Sequence, residues 1–182
     1  MARLFNRNFI VGVTGSIAAY KAAELIRSLI REGANVRVIM TEGAREFITP
    51  LTLQALSGHE VHTDLLDTEA EAAMGHIELA RWADALLIAP ATADSIARLV
   101  QGRADDLLGA CALATPAPIF VSPAMNQEMW AKQATQDNVQ TLIARGIAIL
   151  GPSSGSQACG DVGAGRLLEP DDIVSAIAEQ LS

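Results

Sequence analysis

Basic residues are in short supply in this chain. Its 182 residues hold 13 Lys and Arg against 21 Asp and Glu, a net charge of −8. Nucleic-acid binding rests on a basic footprint, so no nucleic-acid partner is expected. An anionic ligand must instead be held locally, by backbone N–H groups and helix N-termini. Aromatics are sparse as well, with two Trp, one Tyr and four Phe, which leaves little for base stacking. The two cysteines, Cys111 and Cys159, form no disulfide framework, and a reducing cytoplasmic setting is expected. Three His and two Cys without ligand spacing give no metal site. No apolar run reaches the roughly 18 residues of a membrane span. The start, Met1 to Asn8, is too polar for a signal peptide. Neither the G-x-G-x-x-G dinucleotide fingerprint nor the G-x-S-x-G hydrolase elbow occurs.

What is present is half hydrophobic, enough for one domain over 1–182 with a real core. Short apolar runs alternate with amphipathic stretches. Phe9 to Thr14, Asn35 to Met40, Val61 to Leu66, Ala85 to Ala89, Pro118 to Ser122 and Ile147 to Leu150 read as strands. Between them, Ser16 to Glu32 reads as one helix, with Ile17, Leu25, Ile26, Leu29 and Ile30 on its apolar face. Further helices are predicted from Pro50 to Gly58, over Ile77–Ala83, Thr92–Gln101, Asp105–Ala114, Gln133–Arg145 and Pro170–Leu181. Continuous apolar strands separated by helices predict an α/β fold: a Rossmann/flavodoxin-like, doubly wound, mostly parallel sheet covered on both faces. The strand order is not visible from periodicity.

In such a sheet, ligands sit where the strands end. At Thr14-Gly15-Ser16-Ile17-Ala18, Gly15 permits close backbone approach and Ser16 offers a hydroxyl and a cap. The turn reads equally as an anion cradle or as an ordinary strand-to-helix turn. Met40-Thr41-Glu42-Gly43 offers the Thr41 hydroxyl for a phosphate, with Glu42 as a rival contact to a ribose. Ala89-Pro90-Ala91-Thr92-Ala93 and Ser122-Pro123-Ala124-Met125-Asn126 are snug turns of small side chains. Four turns with hydroxyls and no basic residue suggest a mononucleotide-sized ligand such as flavin mononucleotide (FMN).

His76, after Gly75, suits acid–base work or a simple capping role. His59 and His62 flank a turn and are expected to be solvated. Asn126 can hold a carboxylate or cap a helix. Cys111, among Ala110, Ala112 and Leu113, reads as core packing. Cys159 lies in the glycine-rich run from Gly155 to Arg166, where no regular strand is expected. That run anchors a flap over about 151–169, and a thiol on a flap can be carried to a substrate.

Five segments in this order resemble the homo-oligomeric flavin-containing cysteine decarboxylases. They are Gly15-Ser16-Ile17-Ala18-Ala19-Tyr20-Lys21, Gly75-His76-Ile77, Ala89-Pro90-Ala91-Thr92-Ala93, Pro123-Ala124-Met125-Asn126, and Ala158-Cys159-Gly160 with Gly163-Ala164-Gly165-Arg166. The resemblance is strongest to members that decarboxylate 4′-phosphopantothenoylcysteine to 4′-phosphopantetheine in coenzyme A biosynthesis. It implies bound FMN, which oxidises the substrate thiol transiently, lets carbon dioxide leave and returns the electrons. It also implies roles for particular residues. His76 is the base, Asn126 the carboxylate contact and Cys159 the final proton donor. Gly15, Ser16, Ile17, Thr41, Pro90, Ala91, Thr92 and Ala93 hold FMN. Ala124, Met125, Asn126, Ala158, Gly165 and Arg166 face the substrate. A homotrimer, assembled further into a dodecamer, is implied, with His76 serving a neighbour's flavin. In bifunctional relatives a synthetase domain would begin about where this chain stops. Rival readings of the same fold are a peptidyl-cysteine decarboxylase and a flavin prenyltransferase. A third, of another class, is a non-enzymatic phosphatase-binding subunit, which typically carries acidic tails not seen here.

Overall fold

The structure is a computed structural model, and it describes residues 2–65 and 75–181. Its centre is a five-stranded parallel sheet in the order β2-β1-β3-β4-β5. The strands are β1 (Asn8–Val13), β2 (Asn35–Met40), β3 (Ala85–Ala91), β4 (Ile119–Pro123) and β5 (Ala148–Ile149). The expected doubly wound α/β fold is therefore present, and the order is the flavodoxin-like one.

Burial on both faces explains the continuous apolar strands. Phe9, Val11 and Val13 of β1 and Leu87 of β3 face one layer. That layer is α1 (Lys21–Arg31), α3 (Pro50–Ser57) and the closing helix α9 (Pro170–Gln180), through Leu25, Leu29, Leu53, Ile173 and Ile177. Ile10, Leu86, Ile88 and Val121 face the other. There they meet α4 (His76–Trp82), α5 (Ala93–Gln101), α6 (Leu107–Ala114) and α8 (Gln133–Ala144), through Leu79, Ile96, Leu108 and Leu142. Gly12 is glycine because a Cβ there would sit 2.5 Å from the Leu108 side chain. The α1 and α9 helices are tied by Asp171, whose Oδ1 accepts from Ser28 Oγ and Arg31 Nη2, each at 2.7 Å.

Four expectations are corrected. The glycine-rich run is not free of regular structure: β6 (Ser153–Ser156) and β7 (Val162–Arg166) form an antiparallel hairpin. Glycines can pair in a ladder when other parts of the chain hold them in place, and here the segment after β4 does so through Met125 and Gln127. Ser16–Glu32 is not one helix, since a 3₁₀ turn (Ile17–Tyr20) precedes α1. Val61 to Leu65 forms no strand beyond a single bridge between His62 and Ile39, and Leu66 lies outside the described residues. His62 is therefore half-buried beside β2, not solvated. Two short helices escaped sequence reading, α2 (Glu42–Arg45) and α7 (Gln127–Ala131). Each is about one turn long, too short to show a period.

Phe120, the second residue of β4, is 1% exposed. Phe120→Ala is expected to lower unfolding free energy by about 3–5 kcal/mol, read from the shift of the urea midpoint.

Candidate functional site

From β1 the chain winds one way to β2, and from β3 the other way to β4 and β5. The reversal leaves a crevice at the carboxyl ends of β1 and β3, where open α/β sheets bind ligands. A cavity of about 620 Å³ lies there. Its walls come from the turn after β1, the turn after β3, the segment after β4, and the β6–β7 hairpin.

The first wall runs from Gly15 to Lys21. Gly15 packs so closely on Gly43 that an added Cβ would lie 2.9 Å from the Gly43 carbonyl carbon. Ser16 caps the 3₁₀ turn, its Oγ accepting from Ala18 N at 3.2 Å. Sequence periodicity put Ile17 on the buried helix face. Instead Ile17 and Tyr20 are each 60% exposed and line the cavity. A 3₁₀ turn advances three residues per turn, so side chains three apart share one face and the phase of α1 does not extend back to them.

Thr92 and Ala93 make the second wall. Thr92 caps α5, its Oγ1 accepting from Ser95 N at 3.1 Å. Buried Thr14 joins this wall to the first. Its hydroxyl donates to Pro90 O at 2.7 Å and accepts from Thr92 N at 3.1 Å.

The third and fourth walls meet at the chemistry-bearing groups. Met125 N donates to Gly165 O at 2.9 Å, and Gln127 N to Gln157 Oε1 at 3.0 Å, so the hairpin is fastened to the segment after β4. Gly165 has φ of +134°, and a Cβ on it would fall 2.3 Å from Met125 O, so only glycine permits the contact. The hairpin tip then sets Cys159 beside Asn126. Asn126 Nδ2 lies 3.4 Å from Cys159 Sγ and 3.3 Å from Asp161 Oδ2. The thiol donates to the same Asp161 oxygen at 3.3 Å. Of the two readings of Asn126, the cap is present: its Oδ1 accepts from Glu128 N at 2.8 Å at the start of α7, which leaves its NH₂ turned to the thiol and Asp161. Asn126 and Cys159 line the cavity, as do Gly15, Ser16, Ala124, Met125, Ala158, Gly165 and Arg166.

Four expected residues are not brought there. Pro90 and Ala91 are buried in β3 behind the wall. Thr41 lines a separate cavity of about 180 Å³ with Glu42 and Asp64. His76 begins α4, half-buried, and its carbonyl accepts from Cys111 Sγ at 3.5 Å; it does not line the main cavity. Conversely, Lys21, Tyr20, Met129, Gln157 and Asp161 join the site without having been singled out. Lys21 and Tyr20 stood inside a quoted motif, but the single-helix reading put Lys21 on a solvated face. Asp161 carried no signal, because only the hairpin turn brings it back to Cys159. Among the described residues no group of His, Cys, Asp and Glu is placed to hold a metal ion, and no helix is long and apolar enough to cross a membrane.

A family model described as Flavoprotein matches residues 3–182. The Coenzyme A biosynthesis bifunctional protein CoaBC of Haemophilus influenzae is 57% identical over 180 residues, which is 99% of this chain and 45% of that protein. The chain thus spans somewhat under half the length of that relative. A PPC decarboxylase variant solved with pantothenoylaminoethenethiol superposes with TM-score 0.81 at 31% identity, covering 97% of this chain and 96% of the other. The FMN-dependent cysteine decarboxylase SpaF gives TM-score 0.82 at 33% identity, over 98% and 97%.

The two thiols differ sharply in setting. Burial, with the Asp106 charge adding to it, pushes Cys111 up to about 12, so it stays a neutral thiol throughout the physiological range. Cys159 is exposed. Iodoacetamide at mildly alkaline pH is expected to alkylate Cys159 in the native protein and Cys111 only after denaturation, as read by peptide mass spectrometry.

Proposed function

We propose, taking as premise that this chain belongs to the flavoprotein family, that it binds FMN and decarboxylates 4′-phosphopantothenoylcysteine to 4′-phosphopantetheine. The observation that carries this reading is the meeting of Asn126 and Cys159, 3.4 Å apart, on the wall of a cavity at the sheet's switch point.

The residues present fit FMN. Ile17, Tyr20, Met125 and Met129 offer apolar walls for a flat ring system. The Ser16 turn and the α5 N-terminus capped by Thr92 aim backbone N–H groups toward an anion. About 620 Å³ also lies in the usual range of small-molecule sites, roughly 300–1,000 Å³. Gly15, Ser16, Ile17, Thr92 and Ala93 would hold the group, with Pro90 and Ala91 as backing. When bound, FMN supplies the two-electron oxidation of the substrate thiol and the return of those electrons after carbon dioxide has left.

The protein's own part is positional and protonic. The Asn126 amide donates to the substrate carboxylate and keeps it beside the ring. The hairpin closes over the substrate and excludes water, protecting the reactive enethiolate that follows decarboxylation. Cys159 then gives its proton to the enethiolate carbon that carried the carboxylate, and Asp161, hydrogen-bonded to both Cys159 and Asn126, keeps the thiol aimed. His76 serves as base in a site completed by a neighbouring chain, since it does not line its own chain's cavity. This reading requires the homotrimer, and trimers assembled further into a dodecamer are consistent with it.

An absorbance spectrum of purified protein should show the yellow flavin bands, and substrate added without oxygen should bleach them in Cys159→Ser. That variant is expected to release carbon dioxide and stop before the final reduction. His76→Asn should keep the flavin and the fold yet release no carbon dioxide. Mixed oligomers of the two variants should regain part of the wild-type rate, because intact His76 and intact Cys159 meet at shared interfaces. No recovery on mixing would remove the shared site. Turnover of a peptide ending in cysteine, without turnover of the pantothenoyl substrate, would favour the peptidyl-cysteine reading.

A further inference from the structure

Lys21 and Arg166 are the cationic residues lining the cavity of this acidic protein. They reach it from opposite walls, one opening α1 and the other closing β7. Both turn to one carboxylate oxygen. Lys21 Nζ donates to Glu169 Oε1 at 2.8 Å, and Arg166 Nη2 donates to the same atom at 3.3 Å. The Lys21 side chain is 14% exposed and Glu169 58% exposed. Glu169 stands at the N-cap position of α9 but makes no capping hydrogen bond; its side chain is given to the cations instead. The Lys21 hydrogen bond holds its carboxyl below the usual carboxylate range, so it is ionised at neutral pH. Two cations thus share one anion, which leaves a unit of positive charge at the cavity wall.

We propose that Lys21 and Arg166 form the seat for the substrate's phosphate monoester, and that Glu169 occupies their donors until the phosphate arrives. A phosphate monoester carries about −1.5 to −2 charges at neutral pH and three acceptor oxygens, against one charge and a single shared oxygen from Glu169. The exchange leaves the exposed Glu169 carboxylate free to move into water, where an unpaired charge costs little. The seat would make this residue pair the determinant by which the phosphorylated substrate is preferred over the same molecule without its phosphate. The proposal rests on the decarboxylase reading above.

The test uses flavin-loaded protein and two probes, 4′-phosphopantetheine and pantetheine, with affinities measured by calorimetry. Wild type should prefer the phosphorylated probe about ten- to a hundredfold, the range of charge-assisted hydrogen bonds. Lys21→Met should erase most of that preference while leaving pantetheine affinity and flavin content unchanged. Glu169→Gln should bind the phosphorylated probe several-fold more tightly, because the competing anion is gone. An equal loss for both probes in Lys21→Met would assign Lys21 a packing role and overturn the proposal. Loss of flavin from Lys21→Met would transfer the seat to the cofactor's phosphate and overturn it too. If wild type holds flavin and binds both probes alike, the phosphate seat falls and the decarboxylase reading survives. If it holds no flavin and binds neither, both fall.

Discussion

One backbone contact organises the working end of this molecule: the amide of Met125 against the carbonyl of Gly165. It joins the segment leaving the central sheet to a hairpin that has little core of its own. The contact is possible because residue 165 has no side chain and adopts a left-handed conformation. Everything at the hairpin tip inherits its position from this clasp. The side chain of Gln157, reaching from the hairpin to Gln127 N, adds a second fastening on the same face. A thiol that would otherwise ride on a glycine-rich loop is thereby delivered to an amide fixed at the start of a helix. A small set of local bonds gives a mobile-looking sequence a definite place.

Electrostatics follow the same economy. The chain as a whole is acidic, so its surface does not draw anions. Within the crevice, the α5 N-terminus capped by Thr92 and the two cations Lys21 and Arg166 stand on the walls. Buried Cys111 completes the division of labour, since its proton is locked on and its thiol answers only to a carbonyl.

The fold was legible because its strands are buried on both faces and announce themselves as unbroken apolar runs. Val36, Val38 and Ile39 in β2, or Leu86, Leu87 and Ile88 in β3, leave little room for another assignment. The turn residues Gly15, Ser16, Thr92 and Asn126 were legible too, since a strand end followed by a cap has a recognisable chemistry. What escaped notice depended on tertiary approach. Ile17 and Tyr20 face outward because of a local change in helical pitch that no 3.6-residue period reveals. The hairpin escaped because glycine carries no strand propensity, and its pairing is imposed by neighbours. Asp161 and Glu169 escaped because each acquires meaning only from a partner distant in sequence, Asn126 for one and Lys21 for the other.

Thr14 carries a consequence of its own. Its hydroxyl donates to the Pro90 carbonyl and accepts from the Thr92 amide, so the seam between the first and third strands is riveted just beneath the crevice floor. The two turns above that rivet share a single foundation and cannot drift apart independently. A guest gripping one of them finds the other already in register, so little ordering entropy is lost on entry.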